Sequence, residues 1–397
     1  MTDVGVEQVL AEDFTPPDAD RLTLDGHVTV RTLDPTVLDR FPALWLQAER
    51  VGVTPLMEVP APAGSATILA KCEWFNLGAT VKARPALAMI HDMLRDHPDR
   101  AIGDFHVRTY SGGSMHLPIA NMCQALGLRC TIDSGDFLTQ SAIDQVRATG
   151  ATLNLHDKTD GFWNIVQKAK AAAEADPDAS FLYQHNHPGN LRIHEVATGG
   201  EIVLQLAAAR GGPRKPDAWI AAIGTGATLI GVARALRRDC NSKVKVYGVT
   251  PAEMPFGTMD PGTHGKRTLA GSGGLGLGRK QPFVEANEAL IDGHFTCSYA
   301  SALREVNRFA RLTGMRIGSS AAANWLAART VARRLGPGAT VVTVFPSLIT
   351  PEEWENIVQL RRVLGPDLGG AALESKLERM EAIGDALKNR RQPQPSA

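Results

Sequence analysis

The apolar residues of this chain fall into two alternating patterns. Short apolar runs such as SATILAKC, RCTIDSG, TLNLH, KVKVYGVTP and ATVVTVFPS have the length and composition of buried β-strands. Between such runs lie longer segments, among them ARPALAMIHDMLRD, TQSAIDQVRATGA, YASALREVNRFARLTG and SSAAANWLAARTVARRLG, whose apolar residues recur at helical spacing. Strands that alternate with helices predict parallel sheets covered by helices on both faces. The sequence therefore predicts an α/β fold.

Breaks in this alternation divide the chain. The stretch YQHNHPGN interrupts it near the middle, so we predict an N-terminal α/β domain over residues 46–190 and a C-terminal α/β domain over residues 191–365. Residues 1–45 have the composition of an irregular N-terminal arm, and residues 366–397 that of a charged helix with a disordered end. The cleft between two α/β domains is where a cofactor is expected to bind.

Composition and charge argue against several classes of partner. The chain has 397 residues with 42 basic and 42 acidic side chains, and this zero formal charge argues against nucleic acid as a partner. No stretch reaches the roughly 18 apolar residues that span a bilayer, and the acidic N-terminus lacks the apolar core of a signal peptide. The five cysteines form no C-x-x-C pair, which predicts free thiols and no metal site. We therefore expect a cytoplasmic protein without a membrane partner.

A glycine-rich turn, IGTGATLIG, follows one of the predicted strands. Gly224 and Gly226 let the backbone approach an anion, Thr225 and Thr228 supply hydroxyls, and the next helix aims its N-terminus at the same point. A phosphate site is one interpretation of this turn, and a tight strand–helix connection is the other. The turn lacks the G-K-[S/T] of a Walker A motif and the G-x-G-x-x-G pattern with its ribose-binding acid.

Two further turns are rich in hydroxyl groups. In TYSGGSMH, Ser111, Gly112, Gly113 and Ser114 would present hydroxyl and N–H groups to a carboxylate, although a plain strand–helix turn has the same composition. In RIGSSAAANW, Ser319 precedes an alanine-rich helix, where helix capping is by itself the simpler explanation.

A lone lysine follows a turn of small residues in EWFNLGATVKARP. Lys82 is either an exposed surface charge or a reactive amine at the start of a helix. Three Ser/Thr/Gly turns together with alternating βα units favour the reactive amine, because they fit an enzyme that holds pyridoxal 5′-phosphate (PLP). Such an enzyme forms a Schiff base between a lysine and the cofactor's aldehyde, which requires an amine that burial keeps neutral.

Between Pro55 and Ser347 the chain resembles the fold type II PLP enzymes, in particular the cysteine synthase and cystathionine β-synthase family. This resemblance implies two three-layer αβα domains with parallel-rich sheets and PLP in the cleft between them. It assigns the Schiff-base lysine to Lys82, and it assigns the phosphate to Gly224-Thr225-Gly226-Ala227-Thr228. Ser319 matches the serine that faces the ring nitrogen, and Gly113 stands where the family has an asparagine near the 3′-hydroxyl. By the same resemblance, the substrate-binding residues are Ser111, Gly112, Ser114, Gln184 and Gly271.

Several positions depart from the family pattern. The loop asparagine is Gly113, the aspartate after the lysine is Ala83, and the phenylalanine after Gln184 is His185. The first loop residue is Tyr110 instead of threonine, and the usual Ser-Gly-Glu-Arg-Tyr ending is SLITPEEW. Because these changes surround the substrate and few touch the phosphate loop, we expect a retained cofactor and an altered substrate.

The resemblance implies β-replacement on an O-activated serine or a related β-substituted amino acid. The reaction would pass through an aminoacrylate, with Lys82 as general base, and would give cysteine or another β-substituted alanine. One alternative is PLP-dependent β-elimination by a lyase, dehydratase or desulfhydrase. Another, motivated by Gly113, is a PLP-binding homologue without turnover. The partners implied are an amino-acid substrate, a small nucleophile and a second copy of the chain in a homodimer.

Overall fold

Two β-sheets organise the part of the chain that the structure describes. The computed structural model describes residues 28–136, 138–157, 160–209, 212–254, 256–257, 276, 280–369 and 373. Its strands are β1 Leu56–Val59, β2 Thr67–Cys72, β3 His106–Tyr110, β4 Arg129–Gly135, β5 Thr152–His156, β6 Ala179–Phe181, β7 Ala218–Ala222, β8 Lys245–Pro251, β9 Gly293–Cys297 and β10 Thr340–Phe345. The larger sheet has the order β1-β2-β10-β7-β8-β9, and the smaller sheet has the order β5-β4-β3-β6.

Nearly every pair of neighbouring strands is parallel. The smaller sheet is parallel throughout its described strands. In the larger sheet the pairs from β2 to β9 are parallel, while the edge strand β1 runs antiparallel to β2. The carboxyl ends of the parallel strands therefore meet at one edge of each sheet, which is where open α/β sheets bind their ligands.

Helices connect these strands and cover the sheets. The α-helices are α1 Val28–Arg31, α2 Pro35–Arg40, α3 Pro42–Ala48, α4 Ala83–Asp96, α5 His116–Leu126, α6 Gln140–Ala148, α7 Gly161–Glu174, α8 Pro188–Ile193, α9 Gly200–Ala207, α10 Ala227–Asp239, α11 Pro282–Glu285, α12 Tyr299–Thr313, α13 Ser319–Leu335 and α14 Pro351–Leu364. A π-helical segment, His194–Gly199, joins α8 to α9. The 3₁₀ turns are Glu73–Phe75, Leu77–Ala79, Ile102–Asp104 and Glu288–Leu290. No helix of the described residues combines the length and the apolar character needed to cross a membrane.

Both faces of each sheet are buried under helices. In β2, Ile68 packs in an apolar cluster with residues of α12 and α13, while Leu69 points to the other side and packs with residues of α9 and α10. In the smaller sheet, Val107 packs with residues of α4 and α5, and Tyr110 packs against Ile165 and its neighbours in α7. Burial on both faces is what the near-continuous apolar runs of parallel strands indicate. The predicted α/β class with parallel-rich αβα layers is confirmed.

The described part of the predicted N-terminal arm is helical, so its description as irregular was wrong. Pro35 and Pro42 stand in the first turns of α2 and α3, and the Asp34 side chain accepts a hydrogen bond from Thr36 N at 2.9 Å. Proline interrupts a helix interior but favours the first helical position, where its missing N–H would be unpaired anyway. Leu44 and its neighbours then bury these helices against α4 and α5.

The predicted domain boundaries at residues 45, 190 and 365 stay predictions. The sheet order cuts across the predicted domains: β1 and β2 of the N-terminal domain lie in the same sheet as β7 to β10 of the C-terminal domain. The smaller sheet is formed by β3 to β6. Apart from residues 366–369 and 373, the predicted tail lies outside the described residues.

Candidate active site

The turn before Lys82 reverses the chain at the carboxyl end of β2. Gly78 and Ala79, at the end of the two 3₁₀ turns, have left-handed backbone conformations with φ of 71° and 52°. Val81 N then donates to Pro346 O at 2.8 Å, which ties this segment to the residue that follows β10. Lys82 therefore stands at the start of α4, at the edge of the larger sheet where the parallel strands end.

The amine of Lys82 has a lowered pKa. Burial lowers the pKa of this group from 10.5 to about 8, because an ammonium loses hydration in surroundings of low polarity. The residue still keeps part of its surface exposed. At pH 7 about one amine in ten would be neutral, against fewer than about one in a thousand for an ordinary lysine. The structure thus favours the reactive amine over the exposed surface charge.

We expect covalent attachment of PLP to the apoprotein to speed up as the pH rises, with a midpoint near the pKa of about 8. The neutral amine is the reactive form, so the rate is low below the midpoint, where Lys82 is protonated, and levels off above it. Stopped-flow absorbance at constant ionic strength measures the rate, and Nα-acetyl-lysine treated in parallel corrects for the titration of free PLP. A midpoint close to 10.5, the value for an exposed lysine, would contradict the effect of burial.

Two residues beyond Lys82, Arg84 holds together a buried cluster of four charges. Its guanidinium donates to Glu73 Oε2 at 2.6 Å and to Glu201 Oε1 at 2.8 Å. Lys71 Nζ donates to Glu201 Oε2 at 2.6 Å, and none of these four side chains is exposed. Burial alone would raise the pKa of Glu201, but Arg84 and Lys71 outweigh burial and hold that pKa far below its usual range. The cluster joins β2, the turn before Lys82, α4 and α9.

The predicted phosphate loop lies between β7 and the N-terminus of α10. Among the described residues, the backbone N–H groups of residues 224–226 have no protein acceptor. Gly226 has a left-handed φ of 86°, and a Cβ at this position would lie 2.5 Å from Val284 Cγ2, so only glycine fits. Thr225 Oγ1 accepts from Ala227 N at 3.2 Å. Unpaired N–H groups at the start of a 13-residue helix form a cradle for an anion.

The predicted substrate loop lies between β3 and α5. Ser111 is buried and its Oγ donates to Gly113 O at 3.2 Å, whereas Ser114 is exposed. Within the part of the chain that the structure describes, the N–H groups of Gly112, Gly113 and Ser114 also lack a protein acceptor. A Cβ at Gly112 would lie 2.6 Å from Tyr110 Oη, so a side chain there would displace the Tyr110 hydroxyl. The loop therefore offers N–H groups near a helix N-terminus, as a carboxylate requires.

Ser319 begins α13 with a buried hydroxyl that makes no hydrogen bond to the described protein atoms. The preceding residue, Gly318, donates its backbone N–H to Ser347 O at 3.0 Å, and this bond ties the start of α13 to the segment after β10. Nearby, Glu353 accepts from Tyr299 Oη at 3.1 Å, and burial raises the pKa of Glu353. The Ser319 hydroxyl lies near enough to influence that pKa but lacks the geometry of a hydrogen bond to it. A buried hydroxyl without a partner is unfavourable unless a ligand atom completes it.

These loops come together because the strands that precede them are neighbours. β2, β10 and β7 are adjacent and parallel, so the turn of Lys82, the segment that holds Ser319 and the phosphate loop emerge at one sheet edge. Asn190 connects this edge to the predicted substrate residue Gln184, since its Nδ2 donates to Gln184 O at 2.7 Å and lies 3.5 Å from Thr225 Oγ1. The roles assigned to these residues stay predictions, and Gly271 lies outside the described residues.

Sequence reasoning missed His194, which contacts the phosphate loop from the side. Its Nε2 lies 3.2 Å from Thr228 Oγ1, and its Nδ1 lies 3.0 Å from Thr198 Oγ1. The available signal was spacing: Asn190, His194 and Thr198 are four residues apart, and polar residues at this spacing share one face of a helix.

The layered sheets and the loops at the carboxyl ends of their strands are those of the fold type II class of enzymes that use PLP. A family model described as "Pyridoxal-phosphate dependent enzyme" matches residues 48–347, and the chain belongs to this family. The expected cofactor is thereby confirmed.

Several proteins are similar to this chain in sequence or in structure. A cysteine synthase from Staphylococcus aureus is 29% identical over 306 residues, which cover 75% of this chain and 91% of that protein. O-acetyl serine sulfhydrylase isoform 3 from Entamoeba histolytica has a TM-score of 0.68 at 22% identity, covering 80% of this chain and 91% of that one. An O-acetylserine dependent cystathionine beta-synthase from Helicobacter pylori has a TM-score of 0.65 at 24% identity, covering 76% and 94%. The two structures establish a shared fold.

Three independent observations on the described residues indicate that the site is suited to PLP. The cradle at Gly226 excludes a Cβ and leaves N–H groups unpaired beside it. Ser319 Oγ is buried without a protein partner. The amine of Lys82 has its pKa lowered by burial. A phosphate, a heterocyclic nitrogen and an aldehyde are the three groups that these features would bind.

Proposed function

We propose that this enzyme is a cysteine synthase-like transferase that replaces the β-substituent of an O-activated serine, or of a related β-substituted amino acid. A small nucleophile H–X would enter, an activating group such as acetate would leave, and cysteine or another β-substituted alanine would form. The names of the Staphylococcus aureus and Helicobacter pylori proteins, a cysteine synthase and an O-acetylserine dependent cystathionine beta-synthase, support this reaction class.

The single observation that carries the proposal is the buried hydroxyl of Ser319, which has no hydrogen-bond partner among the described residues. The resemblance assigns this hydroxyl to the ring nitrogen, where other PLP enzymes use a carboxylate. A hydroxyl has no negative charge to stabilise a protonated ring nitrogen. The nitrogen therefore stays unprotonated, and the ring withdraws electrons less strongly. Such a site suits expulsion of a good leaving group from Cβ and disfavours reactions that need a long-lived carbanion. Burial raises the pKa of the neighbouring Glu353, which shifts that carboxyl toward its uncharged form.

Each part of the site would take a defined role. When bound, PLP supplies an aldehyde that links to the amino acid and a ring that takes up electron density from Cα. Lys82 Nζ would remove the Cα proton, since its lowered pKa makes it a base near neutral pH. The N–H groups of residues 112–114 would bind the α-carboxylate, and those of residues 224–226 would hold the phosphate. The Cβ–O bond would break first and the Cβ–X bond would then form; Lys82 would return the proton to Cα, and the proton of H–X would leave with the activating group.

Two residues on the substrate side of the site, His185 and Gly113, differ from the family pattern. His185 replaces a phenylalanine, is buried, and its Nδ1 lies 3.0 Å from Gln281 Oε1. Its ring centroid lies 5.1 Å from that of Tyr183. Gly113 removes the amide that the family places next to the cofactor. A polar imidazole and a missing side chain support a substrate pair that differs from that of a housekeeping cysteine synthase.

Holoenzyme mixed with O-acetylserine, O-phosphoserine, serine or cysteine is expected to show a changed cofactor absorption with one donor. Adding sulfide, a thiol or an amine should then reverse that change and give a new β-substituted alanine, detected by mass spectrometry. Enzyme reduced with borohydride, in which the cofactor is locked onto the lysine, is the inactive control. Pyruvate released at a rate that no nucleophile alters would reject replacement and establish β-elimination. Unchanged absorption with every donor would reject both reactions.

We further propose that the enzyme is a cytoplasmic homodimer. The five cysteines are all described and all free, as is usual in a reducing compartment. The dimer is supported by the family resemblance.

A further inference from the structure

The π-helical segment His194–Gly199 packs directly against the helix that carries the phosphate loop. A Cβ at Gly231 of α10 would lie 2.7 Å from Glu195 N and 2.9 Å from His194 Cβ, so the two backbones meet without an intervening side chain. π-helical turns are rare and frequently occur at functional sites. This close approach places a buried histidine beside the first turn of α10.

The His194 imidazole bridges two threonine hydroxyls. Its Nε2 lies 3.2 Å from Oγ1 of Thr228, in the first turn of α10, and its Nδ1 lies 3.0 Å from Oγ1 of the buried Thr198. Both distances are within hydrogen-bond range. The three side chains therefore form a continuous chain of polar contacts that ends at the predicted phosphate loop.

The charge state of His194 determines which groups donate and which accept in this series of hydrogen bonds. Burial lowers the pKa of His194 well below its usual value, and the positive charges of Arg84 and Lys82 lower it further. A neutral imidazole has one N–H donor and one acceptor nitrogen. The two threonines therefore cannot play the same role: one hydroxyl must donate to the ring while the other accepts from it.

We propose that Thr198, His194 and Thr228 form a hydrogen-bond relay that turns the Thr228 hydroxyl proton toward the cofactor phosphate. Thr198 Oγ1–H donates to Nδ1, Nε2–H donates to Thr228 Oγ1, and the Thr228 hydroxyl then has its own proton free for an anion at the helix N-terminus. In the reverse polarity Thr228 would donate to Nε2 and present only lone pairs to the phosphate. A phosphate dianion disfavours that arrangement and so selects the first. His194 and Thr198 are positioning residues in this relay, because they act through Thr228.

The test removes the hydroxyl that is most remote from the cofactor. Thr198→Val keeps the size of the side chain and deletes the donor to Nδ1, while Thr198→Ser keeps the donor and is the matched control. We expect Thr198→Val to retain PLP about tenfold less tightly, the range for a lost hydrogen bond to a charged group. The ³¹P NMR signal of the bound cofactor should shift in the same variant. Thr198→Ser should match the wild type in both measurements.

A double-mutant cycle separates the relay from general packing. If the relay ends at the Thr228 hydroxyl, Thr198→Val should add no further loss once Thr228 is valine. Equal losses in both backgrounds, equal effects of Thr198→Val and Thr198→Ser, or an unchanged ³¹P signal would each overturn the proposal. If Thr198→Val does not fold, Thr228→Val and Thr228→Ser are compared instead, and equal PLP retention by these two variants would overturn it. These readouts follow the cofactor and are independent of which amino acid the enzyme converts.

Discussion

Replacing Lys82 with alanine is expected to remove the visible absorption of the lysine-bound cofactor and to lower turnover by about three to four orders of magnitude. The amine is the covalent anchor and the proposed base at Cα, and a positioned base alone contributes about 10²–10⁴-fold. Its pKa of about 8 suits both roles. An absorbance spectrum of the purified variant and a single-turnover assay measure the two effects.

Two control substitutions of lysine test whether the effect is specific to an amine at position 82. Lys82→Arg keeps a cation at the site, but its guanidinium stays protonated and should also lose the absorption band. Lys245→Ala removes an exposed lysine that pairs with Asp292 on the surface, and it should keep the band and the activity. A Lys82→Ala protein that retained the band would place the cofactor on another amine and would overturn the assignment of the site.

Replacing Glu201 with glutamine is expected to lower the free energy of unfolding by about 3–5 kcal/mol. The change leaves two buried cations, Arg84 and Lys71, facing the single carboxylate of Glu73. An unbalanced charge cannot regain its hydration inside the protein, so the loss exceeds that of an ordinary hydrogen bond. Thermal unfolding of the purified variant should show a midpoint lower by ~6–10 °C.

A second substitution shows whether charge balance is the cause. In the double variant Lys71→Met with Glu201→Gln, Arg84 and Glu73 remain as a neutral pair, so part of the lost stability should return. Glu174→Gln is the surface control: Glu174 and Lys170 are both more than half exposed, and loss of their ion pair should change the midpoint by no more than about 1 °C. If the double variant is less stable than Glu201→Gln alone, packing and hydrogen bonding outweigh charge balance in this cluster.

The buried cluster also matters for the site, because Arg84 stands in the first turn of the helix that Lys82 begins. Its partners are Glu73 on the turn before that lysine and Glu201 on α9. The start of α4 is therefore held on two sides by charge-assisted hydrogen bonds. A loosened cluster would allow the amine to move relative to the phosphate loop, so Glu201→Gln is expected to impair PLP binding as well as stability.

Elements with a strong local pattern were predicted well. The runs RCTIDSG and TLNLH coincide with β4 and β5, and the apolar spacing after Lys82 identified α4. The short edge strand β1 and the helices of residues 28–48 did not have such a pattern, because they depend on packing against partners elsewhere in the chain.

By itself the sequence determined the α/β class and predicted the anchoring lysine and the phosphate loop. These features rest on periodicity and turn chemistry, which are properties of neighbouring residues: Gly226 has a left-handed backbone, which glycine adopts without strain. Only the tertiary structure decided which strands are neighbours, that Glu201 completes a cluster with Lys71, 130 residues away, and that His194 reaches Thr228. Such contacts join residues far apart in the chain, and they exist only once folding has excluded water from between them.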